Sequence, residues 1–203
     1  MAATLALLLA MFIVLPSGAE MGVHDLVVVE WDTCTSGEKL PPILTNRTLI
    51  PSGLFMKEVG TSRYLAVVRE PFLTRFNFSD VVEVNPVEDV NDVMKKLEIS
   101  VPPSKDISNK TLTLIKYIPS LKGQTLKQYD SELKRVGKCL NTALKDYPKR
   151  VYISSGFPPK YYYFLEIPLE LIEFSFSAAL DVFGGPGSTK NKISFVQILR
   201  LEN

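Results

Sequence analysis

Leu126, Tyr129, Leu133, Val136, Leu140, Ala143, Leu144 and Tyr147 recur at three- and four-residue spacing, which draws one apolar stripe down about six turns of helix. Thr125 precedes the stripe as N-cap, Gln128 stands where it closes a capping box, and Pro148 stops the helix. A stripe of that length must be covered, and much of the remaining chain reads as sheet. Strands are predicted over Leu26–Trp31, Leu54–Val59, Tyr64–Arg69, Phe72–Phe78, Thr111–Ile118, Arg150–Ser155, Tyr161–Ile167, Ile172–Val182 and Ile193–Leu201. Gly60-Thr61-Ser62 carries hairpin-turn chemistry, and Gly184-Gly185-Pro186-Gly187 turns the chain inside a C-terminal hairpin over 171–201. Asn85-Pro86-Val87-Glu88 predicts a further helix to about Glu98, with Val87, Val90, Met94 and Leu97 on its apolar face. Strands and two helices in mixed order, without a solenoid repeat, predict an α+β domain. Its sheet is curved and mostly antiparallel, or a distorted open barrel with two packed helices.

The 203 residues, 46% of them apolar, suffice for one domain with a substantial core. A formal charge of +1 gives no electrostatic reason to expect nucleic acid or an anionic membrane as partner. One histidine excludes a site built on two imidazoles, and two cysteines are too few for a four-cysteine zinc site or an iron–sulfur cluster.

Leu5 to Leu15 is an unbroken apolar run, followed by Pro16 and by the small residues Ser17 and Ala19. This is the pattern of a secretory signal peptide over residues 1–19, although Met1 to Thr4 carries no Lys or Arg. At roughly 1.5 Å per residue the run reaches about 16 Å, short of the ~30 Å of a spanning helix. The expectation is therefore a secreted domain over 20–203 without a stable membrane span. Three sequons, at Asn46, Asn77 and Asn109, agree with glycosylation in that compartment. An oxidising compartment also makes a Cys34–Cys139 disulfide the economical use of the two cysteines. The competing reading leaves Cys139, on the apolar side of its helix, as a buried small hydrophobe.

Chemistry is sparse. His24 is the one imidazole and lies five residues beyond the expected cleavage point, a poor place for a catalytic base. Gly184 to Lys190 has neither the spacing nor the strand–helix flanks of a phosphate loop. Glu166 with Glu170 and Glu173 reads as solvated acids. Tyr161, Tyr162, Tyr163 and Phe164, behind Pro158-Pro159, are more informative, because alternation in a strand should leave at least one tyrosine hydroxyl exposed. Tyr161 and Tyr163 are thus candidates for the wall of an apolar ligand cleft, against the plainer reading of core packing. No enzyme site emerges.

Tyr64-Leu65-Ala66-Val67-Val68-Arg69-Glu70-Pro71, the segment Pro86 to Leu97, Thr111 to Ser120, and Val151-Tyr152-Ile153-Ser154-Ser155-Gly156-Phe157-Pro158-Pro159 together resemble the SOUL or heme-binding-protein family, related to the GyrI-like fold. The resemblance covers about residues 64–167. It implies a two-fold pseudo-repeat of strands plus helix forming a distorted barrel, and heme or another flat apolar molecule as ligand. Tyr161 to Leu165 stands where the family usually closes with an Asn-Glu-x-Trp strand, and the axial histidine of some members has no counterpart in the matched region. Two functions follow as expectations: a secreted small-ligand carrier, or a secreted structural or surface-interaction glycoprotein without ligand or catalysis.

Overall fold

A computed structural model describes residues 26–33, 54–69, 81–103, 105–121, 125–172 and 192–201. Among the described residues, eight strands and two helices longer than one turn follow one another. The strands are β1 (Leu26–Asp32), β2 (Phe55–Glu58), β3 (Arg63–Arg69), β4 (Val81–Asp89), β5 (Thr111–Ile118), β6 (Lys149–Ser154), β7 (Tyr161–Leu165) and β8 (Lys192–Arg200). Helix α1 (Val90–Lys96) follows β4, and α2 (Leu126–Thr142) joins β5 to β6. The strands pair antiparallel in the order β1-β3-β2-β8-β5-β7-β6-β4 and close on themselves. The α+β reading stands in this coarse form, but the barrel is closed where an open one was expected. Closure follows because β4 pairs with β1 on one side and β6 on the other, leaving no free edge between the two ends of the sheet.

The helix expected at Pro86 is a correction. Residues 81–89 form β4, and α1 starts later with Asp89 as N-cap, its carboxylate accepting from the amide of Asn91 at 2.8 Å. Val81, Val82, Val84 and Val87 favour the strand, and the local capping signal at Asn85 loses to the two ladders that β4 completes. Pro86 is tolerated because it sits where the β6 ladder ends. Its carbonyl accepts from Ser155 at 3.1 Å, so the missing N–H forfeits one bond at the margin.

Helix α2 carries the expected reciprocal capping box: Gln128 N donates to the Thr125 hydroxyl at 3.2 Å, and Thr125 N donates to Gln128 Oε1 at 3.1 Å. It ends at Thr142, well before Pro148, and the buried ammonium of Lys149 donates to the carbonyl of Leu144 at 2.8 Å just beyond that end. Leu126, the first residue of the expected stripe, is exposed. Phe72–Phe78 and most of Ile172–Val182 lie outside the described residues, and Ile172 closes a helical turn begun at Leu169. The second arm of the expected hairpin, β8, pairs with β5 along its length and with β2 at its end.

Alternation along the strands sorts the apolar residues into layers. Val28, Met56, Val67, Leu114, Tyr152, Tyr162, Phe164 and Ile198 belong to one buried cluster, the barrel interior. Ile115, Tyr117, Tyr161, Tyr163 and Leu165 face outward and pack with Leu133, Val136, Cys139 and Leu140 of α2. On the β1–β3–β2 wall, Val27, Val29, Trp31, Phe55, Ala66 and Val68 form a third cluster, with Trp31 stacked on Phe55 and Tyr64 at ring distances of 6.0 and 5.7 Å. Gly137 is where α2 comes nearest to the chain beyond α1: a Cβ there would stand 2.8 Å from Cγ2 of Ile99.

Candidate functional site

Three inward-facing polar contacts cross the barrel at one end. Lys116 of β5 binds Glu30 of β1, Lys160 beside β7 binds Glu83 of β4 at 2.5 Å, and the Asn85 amide of β4 donates to the Tyr162 hydroxyl of β7 at 2.7 Å. Register explains their convergence, since Glu30 lies opposite Glu83 in the β1–β4 ladder and Lys116 lies opposite Tyr162 in the β5–β7 ladder. Two carboxylates side by side would repel. The lysines of the facing wall offset that repulsion, and the Lys160 ammonium also lies 5.1 Å from the centre of the Tyr162 ring.

The cluster deepens from Glu83, whose side chain is 39% exposed, through Lys116 and Lys160 to Glu30 at 10%. Burial works to raise the Glu83 carboxyl, but hydrogen bonds from Lys160 and Asn85 and the charges of Lys160 and Lys116 outweigh it, so its pKa is lowered. A carboxyl held low is ionised near neutrality and stays paired with Lys160. Burial foremost, then the charges of Glu30 and Glu83, raise the Tyr162 phenol, which therefore stays protonated. Glu30 Oε1 is buried and has no hydrogen-bond partner among the described residues. Two ion pairs inside a barrel gain little stability over an apolar filling, and an orphaned acceptor adds a desolvation cost.

Tyr161 and Tyr163 lie elsewhere. Both are fully buried in the layer under α2, with rings 6.2 Å apart, and Tyr161 stacks on Tyr117 at 5.7 Å. Tyr162 is equally buried on the opposite face, so the expectation that one of the three tyrosines exposes its hydroxyl is corrected. The reason is that β7 is covered on both faces, by the barrel interior and by α2. Burial raises the phenols of Tyr161 and Tyr163 far above their ordinary value, foremost by desolvation. Neither side chain fits a tetrapyrrole, since fully buried Tyr161 and Tyr163 offer neither an open wall to a macrocycle nor an accessible oxygen to an iron, and His24 lies outside the described residues.

Cys139 holds a free, buried thiol, pushed up to about 12 by burial despite the opposing charge of Arg135. The Cys34–Cys139 bridge is thus not formed in this structure, because Cys139 faces the apolar layer with Tyr161 and Tyr163; Cys34 lies outside the described residues. Among the sequons, Asn46 and Asn77 also lie outside them, and Asn109 is exposed. Glu166 is occupied structurally. Its carboxylate accepts from the backbone of Ser108 and, at 2.6 Å, of Asn109, beside a cleft of about 370 Å³ that includes Thr113 and Gln197.

None of Glu30, Glu83, Asn85, Lys116, Lys160 or Tyr162 stood out as a site residue in the sequence. Their signal was a charge at an inward position of an apolar strand, Glu30 within LVVVEW and Lys116 within TLTLIKYI. The described residues contain no group of three or more side chains placed to hold a metal ion, and none of their helices is long and apolar enough to cross a membrane. No family model, curated protein or solved structure matches the chain.

Proposed function

We propose that this chain is a secreted, non-enzymatic glycoprotein that binds a small polar ligand at the charged end of its barrel. Secretion rests on the leader-like residues 1–19 and the three sequons. The observation that carries the binding reading is the orphaned Glu30 Oε1, held within a cluster of four charges on facing walls. Buried charges of this kind can serve recognition at the expense of stability. SOUL-like kinship enters this reading for the scaffold alone. The apolar-ligand chemistry it implies is set aside with the covered Tyr161 and Tyr163.

A surface-interaction glycoprotein is the second reading, favoured by the crowding of Tyr152, Tyr162, Phe164 and Leu114 inside the barrel. Two measurements on protein secreted from eukaryotic cells separate them. Mass spectrometry should find a chain beginning near Glu20 with glycan on Asn109. Thermal-shift screening against small polar metabolites should find stabilisation that Glu30→Gln abolishes, while hemin and metal-free porphyrin give none. No stabilisation by any small molecule would favour the interaction reading.

A further inference from the structure

The hydrogen bonds of the charged end define what it can take. Among the described residues Glu30 Oε1 is an acceptor without a donor, and the Glu30 side chain is nine-tenths buried at the deep side of the cluster. Each lysine ammonium has three N–H donors. Among the described residues, Lys116 spends one on Glu30 and Lys160 one on Glu83. Among the described residues the cluster therefore lacks one donor and has donors to spare.

Charge narrows the choice further. Glu30 and Glu83 balance Lys116 and Lys160, so a ligand with net charge brings an uncompensated charge into a poorly solvated place. A neutral hydroxyl compound avoids that cost and makes charge-assisted bonds, but it sets no opposite charge against either Glu30 or the lysines. A small molecule carrying both an ammonium and an anionic group satisfies every condition. Its size is limited, because Val28, Leu114, Tyr162 and Phe164 belong to the buried interior beneath.

Resting on the binding reading above, we propose that the charged end of the barrel binds a small zwitterion, with its ammonium on Glu30 Oε1 and its anionic group between the ammonium groups of Lys116 and Lys160. The Asn85–Tyr162 hydrogen bond holds the Tyr162 ring in place opposite Lys116. The protonated Tyr162 hydroxyl, which already accepts from Asn85, keeps its own proton to donate to the bound anion.

The test is a titration of the full-length protein with glycine and β-alanine as zwitterions, ethylamine and acetate as single charges, and glycerol as the neutral competitor. Binding is read by calorimetry and by the carboxyl carbon resonance of Glu30 in the wild-type protein, which decides the matter even where a variant fails to fold. We expect the zwitterions to shift the Glu30 resonance and to bind about tenfold or more tighter than the other three, with a similar loss in Glu30→Gln and Lys160→Met. Ethylamine or glycerol binding as tightly as glycine, through Glu30, would overturn the zwitterion assignment and leave a small-ligand site standing. A Glu30 resonance that no probe moves would overturn both, leaving a structural charge network filled by water alone.

Discussion

Lys160 and Glu83, 77 residues apart in the chain, meet at 2.5 Å across the barrel and tie the β7 wall to the β4 wall. The contact leads those of Asn85 and Lys116 in outweighing the effect of burial on Glu83, whose carboxyl lies below its ordinary value of 4.5. A group with a depressed folded pKa adds stability above its unfolded value and loses it as pH falls through the folded one. Urea unfolding midpoints measured against pH should therefore fall on the acid side in the wild type. Lys160→Met removes the largest of the contacts that oppose burial, and the acid-side fall should become shallower. An unchanged acid limb would mean that Glu83 is solvated rather than paired.

Glu132 should behave in the opposite sense. Burial foremost raises its carboxyl, against the pull of Arg135 and a hydrogen bond with Tyr117. A raised folded pKa gives stability that is full below the unfolded value and disappears as pH rises through the folded one. Glu132→Gln removes the buried charge, and Arg135 keeps its 2.6 Å hydrogen bond to Tyr117. The variant should be the more stable protein at pH 7, with the advantage vanishing in acid, as followed by chemical denaturation at both pH values.

Cys139 should be chemically silent while the protein is folded. Its thiol is buried and pushed up to about 12, so thiolate is scarce and access is closed. In a Cys34→Ser variant, a thiol-disulfide reagent at pH 8 should leave Cys139 unmodified until denaturant is added. Rapid labelling without denaturant would show that α2 lifts from the barrel wall.

Gly137→Ala sets two effects against each other. Alanine favours the helix by about 1 kcal/mol, but its Cβ would stand 2.8 Å from the stiff Cγ2 methyl of Ile99, and such overpacking costs about 1–3 kcal/mol. The substitution should be neutral to destabilising in thermal unfolding. Adding Ile99→Ala should recover the helix gain and give a clear coupling energy in the double-mutant cycle.

Much of the scaffold was legible because it rests on local signals. The α2 capping box at Thr125 and Gln128, and the β-branched runs of β1 and β5, declare themselves within a few residues. β4 was hidden because Asn85-Pro86-Val87-Glu88 is a good local helix start, and only its partners Val27 and Ser154, far away in sequence, make it a strand. The charged end was hidden for the same reason. Glu30 and Lys116 are 86 residues apart, and nothing short of the closed barrel turns a lone charge in each strand into a pair. Tyr161 and Tyr163 misled because alternation says that neighbours face opposite ways but not that both faces are covered.

The position of β8 bears on how the protein is made. It sits between β2 and β5, pairing Glu58 with Ile198 and Leu114 with Val196, so the seam of the barrel waits for the strand that leaves the ribosome after all the other described ones. Until then two sheet margins stand bare, and each is a template for a neighbouring chain. Those margins need shielding until β8 arrives. A nonsense change before Lys192 should accordingly yield a sticky open sheet that aggregates or is cleared, instead of a shorter barrel.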